Sequence, residues 1–478
     1  MENTSTPRDD FPSPRQLKTL KRHLRNVVAL GALAVIAIDF KGCAPTASPI
    51  CDDCNVILIV ADTLRADHMK SYGYSRSTTP FFDQLAERGV LFEQARSPSS
   101  CTFPSVNTIL TSRHPSTFLK KATRPAIPED VRSLPEILQE HGYKTAAVSA
   151  SPIVRANPGN HNPVGGFGAG FEIFDESCEW INSRCVSYQT THLFHDELDD
   201  GPFFLYLHFL DPHDPYLSPR GFGGLFSQPY EGPHEFIAEG DPNTVSKMIR
   251  EGTFDELIDV ERDMGHFKDL YDEGIRSFDE GLKEVVEYLE ALGWMDDTII
   301  VITSDHGESF YEHGRVKHCQ TLHEPEIHVP LWVWAPGISK PGRTASTTPL
   351  VDLAPTLLDL LGLPAFPEHE GRSLRPLIED PQVQRNGIAF SAYSVQRSVT
   401  DGRYKLITSI KDKGSDRLYD LQEDPQEQKS LHNEERRQLH RLRGMLKEWM
   451  ESEGTDDRQK QKEAEEMEEE LRSLGYIG

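Results

Sequence analysis

Residues Asn55 to Ala61 (NVILIVA) form a continuous apolar run that ends on a carboxylate, Asp62. A short apolar run closed by polar residues reads as a strand buried on both faces, as in a parallel sheet. Similar runs recur at Thr145 to Ser149, Phe203 to Phe209, Thr298 to Thr303 and Pro330 to Trp334. Between them, Pro80 to Arg88, Ser133 to His141 and Asp269 to Leu292 carry helical patterns. Strands alternating with helices predict an α/β domain around a mostly parallel sheet. Ligands of such sheets bind beyond the carboxyl ends of the strands. That rule places Asp62, His208 to His213 and Ser304 to His306 along one edge.

The pattern changes elsewhere. Pro215 to Asp263 is rich in Gly and Pro and reads as an excursion over the active edge, where substrate is selected. The pattern loosens at Leu374 to Asn386, and Ile388 to Leu421 then alternates like antiparallel strands, predicting a smaller C-terminal subdomain. Glu434 to Leu474 is charged and helical in character, and its acidic block, Glu463 to Glu470, reads as a solvated helix face. The expected organisation is an N-terminal signal or anchor segment and linker over 1–50, a catalytic domain over 51–375, a subdomain over 376–435 and a charged helical tail over 436–478.

The chain has 478 residues, 37% of them apolar, enough for a sizeable core. Its net charge of −26 would repel a phosphate backbone unless a local basic groove offset it, and the sequence shows no such groove, which argues against a nucleic-acid-binding module. No run approaches the ~20 apolar residues of a membrane span, so a polytopic membrane protein is excluded. Arg15, Lys18, Lys21, Arg22 and Arg25 precede the uncharged run Val27 to Ile38 and the small residues around Gly42 to Ser48. This order predicts a secretory signal and a periplasmic or extracellular protein, with an anchor in the membrane through the N-terminus as the alternative. Cys43 is poorly placed for lipidation. Seven cysteines fit an oxidising compartment. Cys178 and Cys185 are the best disulfide candidates. Cys51 and Cys54 have CxxC spacing with no second CxxC, and read as a disulfide or free thiols.

Four constellations carry chemistry. Asp62 can ligate a metal at the sheet edge. Asp305 and His306, directly after TIIVIT, offer one oxygen and one nitrogen ligand. Thr102 lies just before Pro104, which suits a first helical turn; its hydroxyl sits near the positive end of a helix dipole or merely caps the helix. Histidines cluster in LYLHFLDPHDPY (His208, His213) and YEHGRVKHCQTLHEPEIH (His313, His318, His323, His328). Imidazole serves as ligand, anion contact or general acid, and spacing does not sort these roles.

Taken together, NVILIVADTLRADHMKSYGY, TTPFFDQLAERGVLFEQARS, CTFPSVNTILTSRHP, FFLYLHFLDPHDPY, VITSDHGESFYEHG, HVPLWVWAPG and LYDLQEDPQEQKSL resemble the sulfatase-like branch of the alkaline phosphatase superfamily. The resemblance covers roughly residues 55 to 435. It implies an alkaline-phosphatase-like three-layer α/β domain with a mostly parallel central sheet, plus a smaller C-terminal antiparallel sheet. It also implies a metal-dependent hydrolase of sulfate or phosphate esters of small molecules or glycans. Asp62, Asp305 and His306 match the family's metal ligands, and Thr102 falls on the nucleophile position, where it would also touch the metal. His213 and His318 fall near family histidines that contact substrate or protonate the leaving group. Arg65 and His208 are candidate substrate contacts.

Three departures separate the sequence from conventional arylsulfatases. Formylglycine enzymes carry Cys-x-Pro-Ser-Arg, whereas the register here reads Thr102-Phe103-Pro104-Ser105-Val106. Cys101 lies one residue too early, which argues against formylglycine. The paired Asp-Asp is Asp62-Thr63, and Gly-Lys-Trp-His is Ser149-Ala150-Ser151-Pro152. A threonine ester cannot release sulfate by hemiacetal breakdown, so phosphate or phosphonate esters stand beside sulfate esters as substrates. Fewer carboxylates and a nitrogen ligand favour Mn²⁺ or Zn²⁺ over Ca²⁺. Asp211 with His213 and His318 is a candidate second metal set. The competing readings are a phosphoethanolamine-type transferase and a catalytically dead homologue binding anionic glycans. Substrate selection is expected in Asn157 to Gly170 and Pro215 to Asp263.

Overall fold

The computed structural model describes residues 49–452 apart from 52, 119–126, 129–130, 179–181, 199–200, 339, 367 and 413. The N-terminal signal reading, Cys43 and the acidic block at Glu463 to Glu470 lie outside the described residues.

The central sheet contains, in chain order, β1 (Asn55–Ala61), β2 (Val90–Phe92), β3 (Lys144–Ser149), β4 (Ile173–Asp175), β5 (Phe203–Phe209), β6 (Thr298–Thr303), β7 (Leu331–Trp334) and β8 (Gly342–Thr344). Their spatial order is β8-β2-β7-β6-β1-β5-β3-β4. Strands β6, β1, β5, β3 and β4 run parallel, and β7 is antiparallel to both its neighbours. Every residue of β1 is buried, because the sheet is covered on both faces.

Alternation along β1 assigns the two faces. Ile57 and Ile59 join a core with α1 (Pro80–Ala86), α4 (Ser183–Asp196) and α5 (Gly265–Ala291). Val56, Leu58 and Val60 join a second core with α2 (Thr102–Thr111), α3 (Leu134–Glu140) and α6 (Leu353–Leu360). The long helix α5 sends Ile275, Phe278, Leu282, Val285, Val286 and Leu289 into the first core, at the three- and four-residue spacing of one helix face. Ser133 and Glu136 close a capping box at the start of α3.

A four-stranded antiparallel sheet follows, β9 (Ala389–Tyr393), β10 (Gln396–Thr400), β11 (Tyr404–Ser409) and β12 (Arg417–Asp420). Helix α7 (Arg436–Ser452) packs on it through Leu439, Leu442, Leu446 and Trp449, against Ala392, Val399, Leu406 and Leu418. This part of the charged segment is thus a layer of the C-terminal unit. Among the described residues no helix is long and apolar enough to cross a membrane. Disulfides join Cys178 to Cys185, Cys51 to Cys54 and Cys101 to Cys319.

Candidate active site

Three adjacent parallel strands deliver the site. Val60 of β1 is level with His208 of β5 and with Thr303 of β6. Asp62, His208 and the Asp305-His306 pair therefore emerge together at one sheet edge. Helix α2 meets them there. Cys101 is its extended N-cap residue and makes no side-chain cap, and Thr102 is the first helical residue. The Thr102 hydroxyl faces inward, with Oγ1 3.1 Å from His306 Nε2, so it is not spent on capping. Ser105 Oγ donates to the Asp305 carbonyl at 2.6 Å and ties the helix to the turn after β6. Gly307 keeps that turn tight: a Cβ there would lie 2.1 Å from the Pro325 carbonyl oxygen.

The donor set converges. One atom each from Asp62, Asp305 and His306 lies within 4.8 Å of the others. His306 Nε2 is 3.7 Å from Asp62 Oδ1 and 3.5 Å from Asp305 Oδ2. Both of those carboxylate oxygens are buried without a hydrogen-bond partner. Their twins are occupied. Asp62 Oδ2 faces His208 Nε2 at 3.0 Å, and Asp305 Oδ1 accepts from the backbone N–H groups of His306 (2.9 Å) and Thr63 (3.3 Å). His306 Nδ1 lies 3.0 Å from the Gly307 carbonyl; an N–H there leaves Nε2 as a free lone pair. Two orphaned carboxylate oxygens and one imidazole nitrogen fit a divalent cation.

The electrostatics agree with that fit. Burial opposes ionisation of Asp62, but the His208 hydrogen bond and the nearby imidazoles outweigh it and hold its carboxyl below the usual range. Asp305 moves the other way, raised by burial and then by the Asp62 charge. Burial would lower His306, yet Asp305 and Asp62 raise it. Two carboxylates that repel each other across a shared gap are both relieved by a cation between them.

A second group adjoins the first. His213, Asp214 and His318 bring donor atoms within 4.8 Å of one another. The His318 ring centre lies 4.7 Å from that of His213 and 4.8 Å from that of His306. His318 Nδ1 is 3.2 Å from Glu308 Oε1, and Lys317 Nζ is 3.2 Å from Asp214 Oδ2. Burial and the neighbouring imidazoles His213 and His306 hold His318 well below the usual imidazole range. Burial and the Asp214 charge push Glu308 up to about 8.

Several sequence expectations change place. His208 does not reach outward to substrate. It is wholly buried, with Tyr206 Oη 2.7 Å from Nδ1 and Asp62 at Nε2, so it orients the Asp62 carboxylate. Arg65 spends its guanidinium on Asp67, Glu312 and the Glu308 carbonyl, which leaves it bracing the loop. Asp211 accepts from Ser277 Oγ and the Ser183 backbone, so it joins α4 to α5, and Asp214 takes the place expected for it beside His213 and His318. His313 stacks on His323 beside Glu427, and His328 faces the Glu93 carbonyl. Glu308, Lys317 and Ser105 were not singled out. Glu308 lies within the quoted SDHGE stretch, but nothing in its spacing distinguishes it from a surface acid.

The profile of the sulfatase family matches residues 54–363. The chain belongs to the sulfatase family. A second profile, the C-terminal region of N-sulphoglucosamine sulphohydrolase, matches residues 312–455. This sulfatase-family chain is 23% identical over 516 residues to N-acetylglucosamine-6-O-sulfatase of Bacteroides thetaiotaomicron, spanning 90% of this chain and 91% of that one. It is 28% identical over 249 residues to choline-sulfatase of Rhizobium meliloti, spanning 49% and 47%. Its fold is shared with a protein solved in complex with its substrate D-glucosamine-2-N,6-O-disulfate, at TM-score 0.69 and 19% identity over 85% of this chain and 99% of that one. It is also shared with phosphonate monoester hydrolase of Agrobacterium radiobacter, at TM-score 0.65 and 21% identity over 83% and 95%. By family the protein is a sulfuric ester hydrolase.

Proposed function

We propose that this sulfatase-family protein is a metal-dependent hydrolase of sulfate or phosphorus esters in which Thr102 is the nucleophile. The observation that carries the reading is the Thr102 hydroxyl, 3.1 Å from His306 Nε2 beside the two unpaired oxygens of Asp62 and Asp305. Asp62, Asp305 and His306 would hold the cation. Bound there, it supplies charge neutralisation and lowers the pKa of the neighbouring hydroxyl.

The chain's own groups do the rest. Helix α2 holds Thr102 at its first turn, where backbone N–H groups favour an anionic ester. The hydroxyl oxygen attacks sulfur or phosphorus in line, giving its proton to solvent water, as the bond to the leaving oxygen breaks. The leaving oxygen departs toward His213 and His318; His213, the more exposed of the two, protonates it, and His318, kept uncharged by its surroundings, only lines its path. Water then cleaves the threonine ester and restores Thr102. Threonine esters of phosphorus are hydrolysed by a second in-line attack, whereas a threonine sulfate lacks the carbonyl-type release open to formylglycine. This chemistry favours phosphate and phosphonate esters. Cys101, the neighbouring sulfur, is bonded to Cys319, which supports Thr102 over a modified cysteine. The described disulfides also support an exported protein.

The test compares wild type, Thr102→Ala and Cys101→Ala on aryl sulfate, phosphate monoester, phosphodiester and phosphonate, each with Mn²⁺, Zn²⁺ or Ca²⁺. Turnover of a phosphorus ester that vanishes in Thr102→Ala is expected. Sulfate turnover that survives Thr102→Ala and disappears in Cys101→Ala would overturn the reading.

A further inference from the structure

One covalent bond joins the two sides of the site. Cys101 immediately precedes Thr102, Cys319 immediately follows His318, and the two cysteines, 218 positions apart, are bonded to each other. Both are buried. They sit where the catalytic domain meets the C-terminal sheet, packed with Leu322, Ile327, Tyr393, Ile407 and Tyr419. The Cys319 N–H donates to the Ser100 carbonyl at 2.8 Å, so the two backbones lie side by side as well.

The rest of the fold holds the two partners unequally. The Thr102 side is fixed. Every residue of α2 except Phe103 is buried. Ser105 anchors the helix to the Asp305 carbonyl at 2.6 Å. The stretch before it is held by the C-terminal sheet, with Ser391 Oγ donating to the Ser97 carbonyl at 2.7 Å and the Ala392 N–H to the Pro98 carbonyl at 2.9 Å. The His318 side is under local strain. Lys317 and Cys319 have left-handed backbone, with φ of 77° and 57°. Residues other than glycine seldom hold such angles unless their surroundings impose them. The strand pair that leads into this segment, Ser309–Phe310 with Val316–Lys317, has only two residues on each side.

We infer that Cys101 and Cys319 are a positioning pair, whose disulfide carries the fixity of α2 across to the His318 segment and sets the gap between the attacking Thr102 oxygen and the histidines that receive the leaving oxygen. The inference rests on the reading of Thr102 as nucleophile. An in-line displacement needs both oxygens placed at once, and a small misplacement is costly. His318 passes the setting on, because its ring centre lies 4.7 Å from that of His213. Without the bond, residues 317–319 relax toward ordinary backbone angles and His213 loses the wall it packs on. Thr102 stays where α2 holds it. The step that suffers is protonation of the leaving oxygen. A basic leaving group that needs a proton feels that loss, and a nitro-stabilised phenolate does not.

The test replaces the bond by apolar side chains, in Cys101→Val with Cys319→Ala. Cys101 has extended backbone (φ −134°, ψ 143°), which suits valine. Cys101→Ser with Cys319→Ser, made in parallel, is held to the same outcomes. Loss of a cross-link lowers Tm, so the full chains are compared with Mn²⁺ or Zn²⁺ at a temperature where circular dichroism shows them folded. The substrates are the phenyl and 4-nitrophenyl esters of one phosphonate. The variant kcat is expected to fall about 10- to 100-fold on the phenyl ester and no more than about threefold on the 4-nitrophenyl ester, with KM moving less than kcat. An equal loss on both esters marks a purely structural bond and overturns the inference, as does wild-type kcat on the phenyl ester. Hydrogen–deuterium exchange reads the tie without turnover. Peptides covering 316–322 are expected to exchange at least about tenfold faster in the variant, and those of β1 at the wild-type rate. Unchanged exchange over 316–322 overturns the inference. Failure of the two readings is distinguishable. Turnover surviving Thr102→Ala, with the ester-dependent loss still seen in the cysteine variant, sinks the nucleophile alone. Turnover lost in Thr102→Ala, with wild-type kcat in the cysteine variant, sinks the positioning pair alone.

Discussion

Asp62 divides its two carboxylate oxygens between two tasks. Oδ2 faces His208 at 3.0 Å and Oδ1 is left unpaired toward His306. His208 is in turn held by the Tyr206 hydroxyl, so the chain Tyr206–His208–Asp62 fixes the direction in which Oδ1 points. His208→Ala is therefore expected to weaken metal binding by about 10- to 100-fold, with Tyr206→Phe weaker in effect. Competition with a chromophoric chelator measures both, and unchanged affinity in His208→Ala would remove the positioning role. Glu312 shows the same logic for stability. Burial would raise it, but Arg65 and Lys268 hold it down to about 2. Its folded pKa lies below its unfolded one, so its stabilisation is present above about pH 4.5. That stabilisation fades as pH falls toward 2. Glu312→Gln is expected to cost on the order of 2 kcal/mol at pH 7 and to flatten the acid limb of stability between about pH 4.5 and 2. Urea unfolding at pH 7 and pH 3 checks this; a wild-type acid slope in the variant would refute it.

At the scale of elements, the turn after β6 does the most for the site. Gly307 lets the Asp305-His306 segment pass against Pro325, and its N–H donates to the Glu326 carbonyl. Gly307→Ala would force backbone against backbone. It is expected to cost at least about 2 kcal/mol and to lower metal affinity, read by denaturation and metal titration; a neutral result on both would show that the turn yields freely. How far the sequence reveals such elements depends on burial and length. Strands β1, β5 and β6 are visible in it because both their faces are buried, which leaves unbroken apolar runs. Strands β2, β4 and β8 have three residues each, too few for any period. The antiparallel sense of β7 is invisible because an apolar run carries no direction. In α7 the charged composition hides the apolar stripe from Leu439 to Trp449, which only the partner sheet makes meaningful. The site divides in the same way. Asp62, Asp305 and His306 follow readable strands, whereas the choice between Asp211 and Asp214 is made by the path of a loop. Arg65 was expected at the substrate because sequence cannot show Asp67 and Glu312 capturing it.

At the scale of the whole molecule, the C-terminal sheet is coupled to the catalytic edge by a buried four-charge cluster. Lys405 of β11, wholly buried, lies 2.8 Å from Glu324 and 2.9 Å from Glu427. Arg96, also buried, lies 2.6 Å from Glu324. The Glu427 carboxylate accepts from the Glu324 backbone N–H at 2.7 Å. Two cations balance two carboxylates, and the shared member, Glu324, lies on the segment that also carries His318 and Cys319. Burial pushes Glu427 up to about 7, while Arg96 and Lys405 outweigh burial and hold Glu324 low, so Glu427 is the carboxylate more easily neutralised. Removing one charge leaves a buried imbalance, whereas removing a matched pair does not. Lys405→Met is thus expected to cost about 3–5 kcal/mol and to reduce turnover by disturbing the His318 segment. Lys405→Met with Glu427→Gln is expected to recover stability by at least about 1 kcal/mol relative to Lys405→Met alone. Equilibrium unfolding of the wild type, both single variants and the double variant measures the coupling. Additive losses would mean that the two charges act independently and that the C-terminal sheet is fastened to the catalytic edge by its other contacts, the apolar ones through Leu322, Ile327, Tyr393, Ile407 and Tyr419 and the Ser391 hydrogen bond to the Ser97 carbonyl.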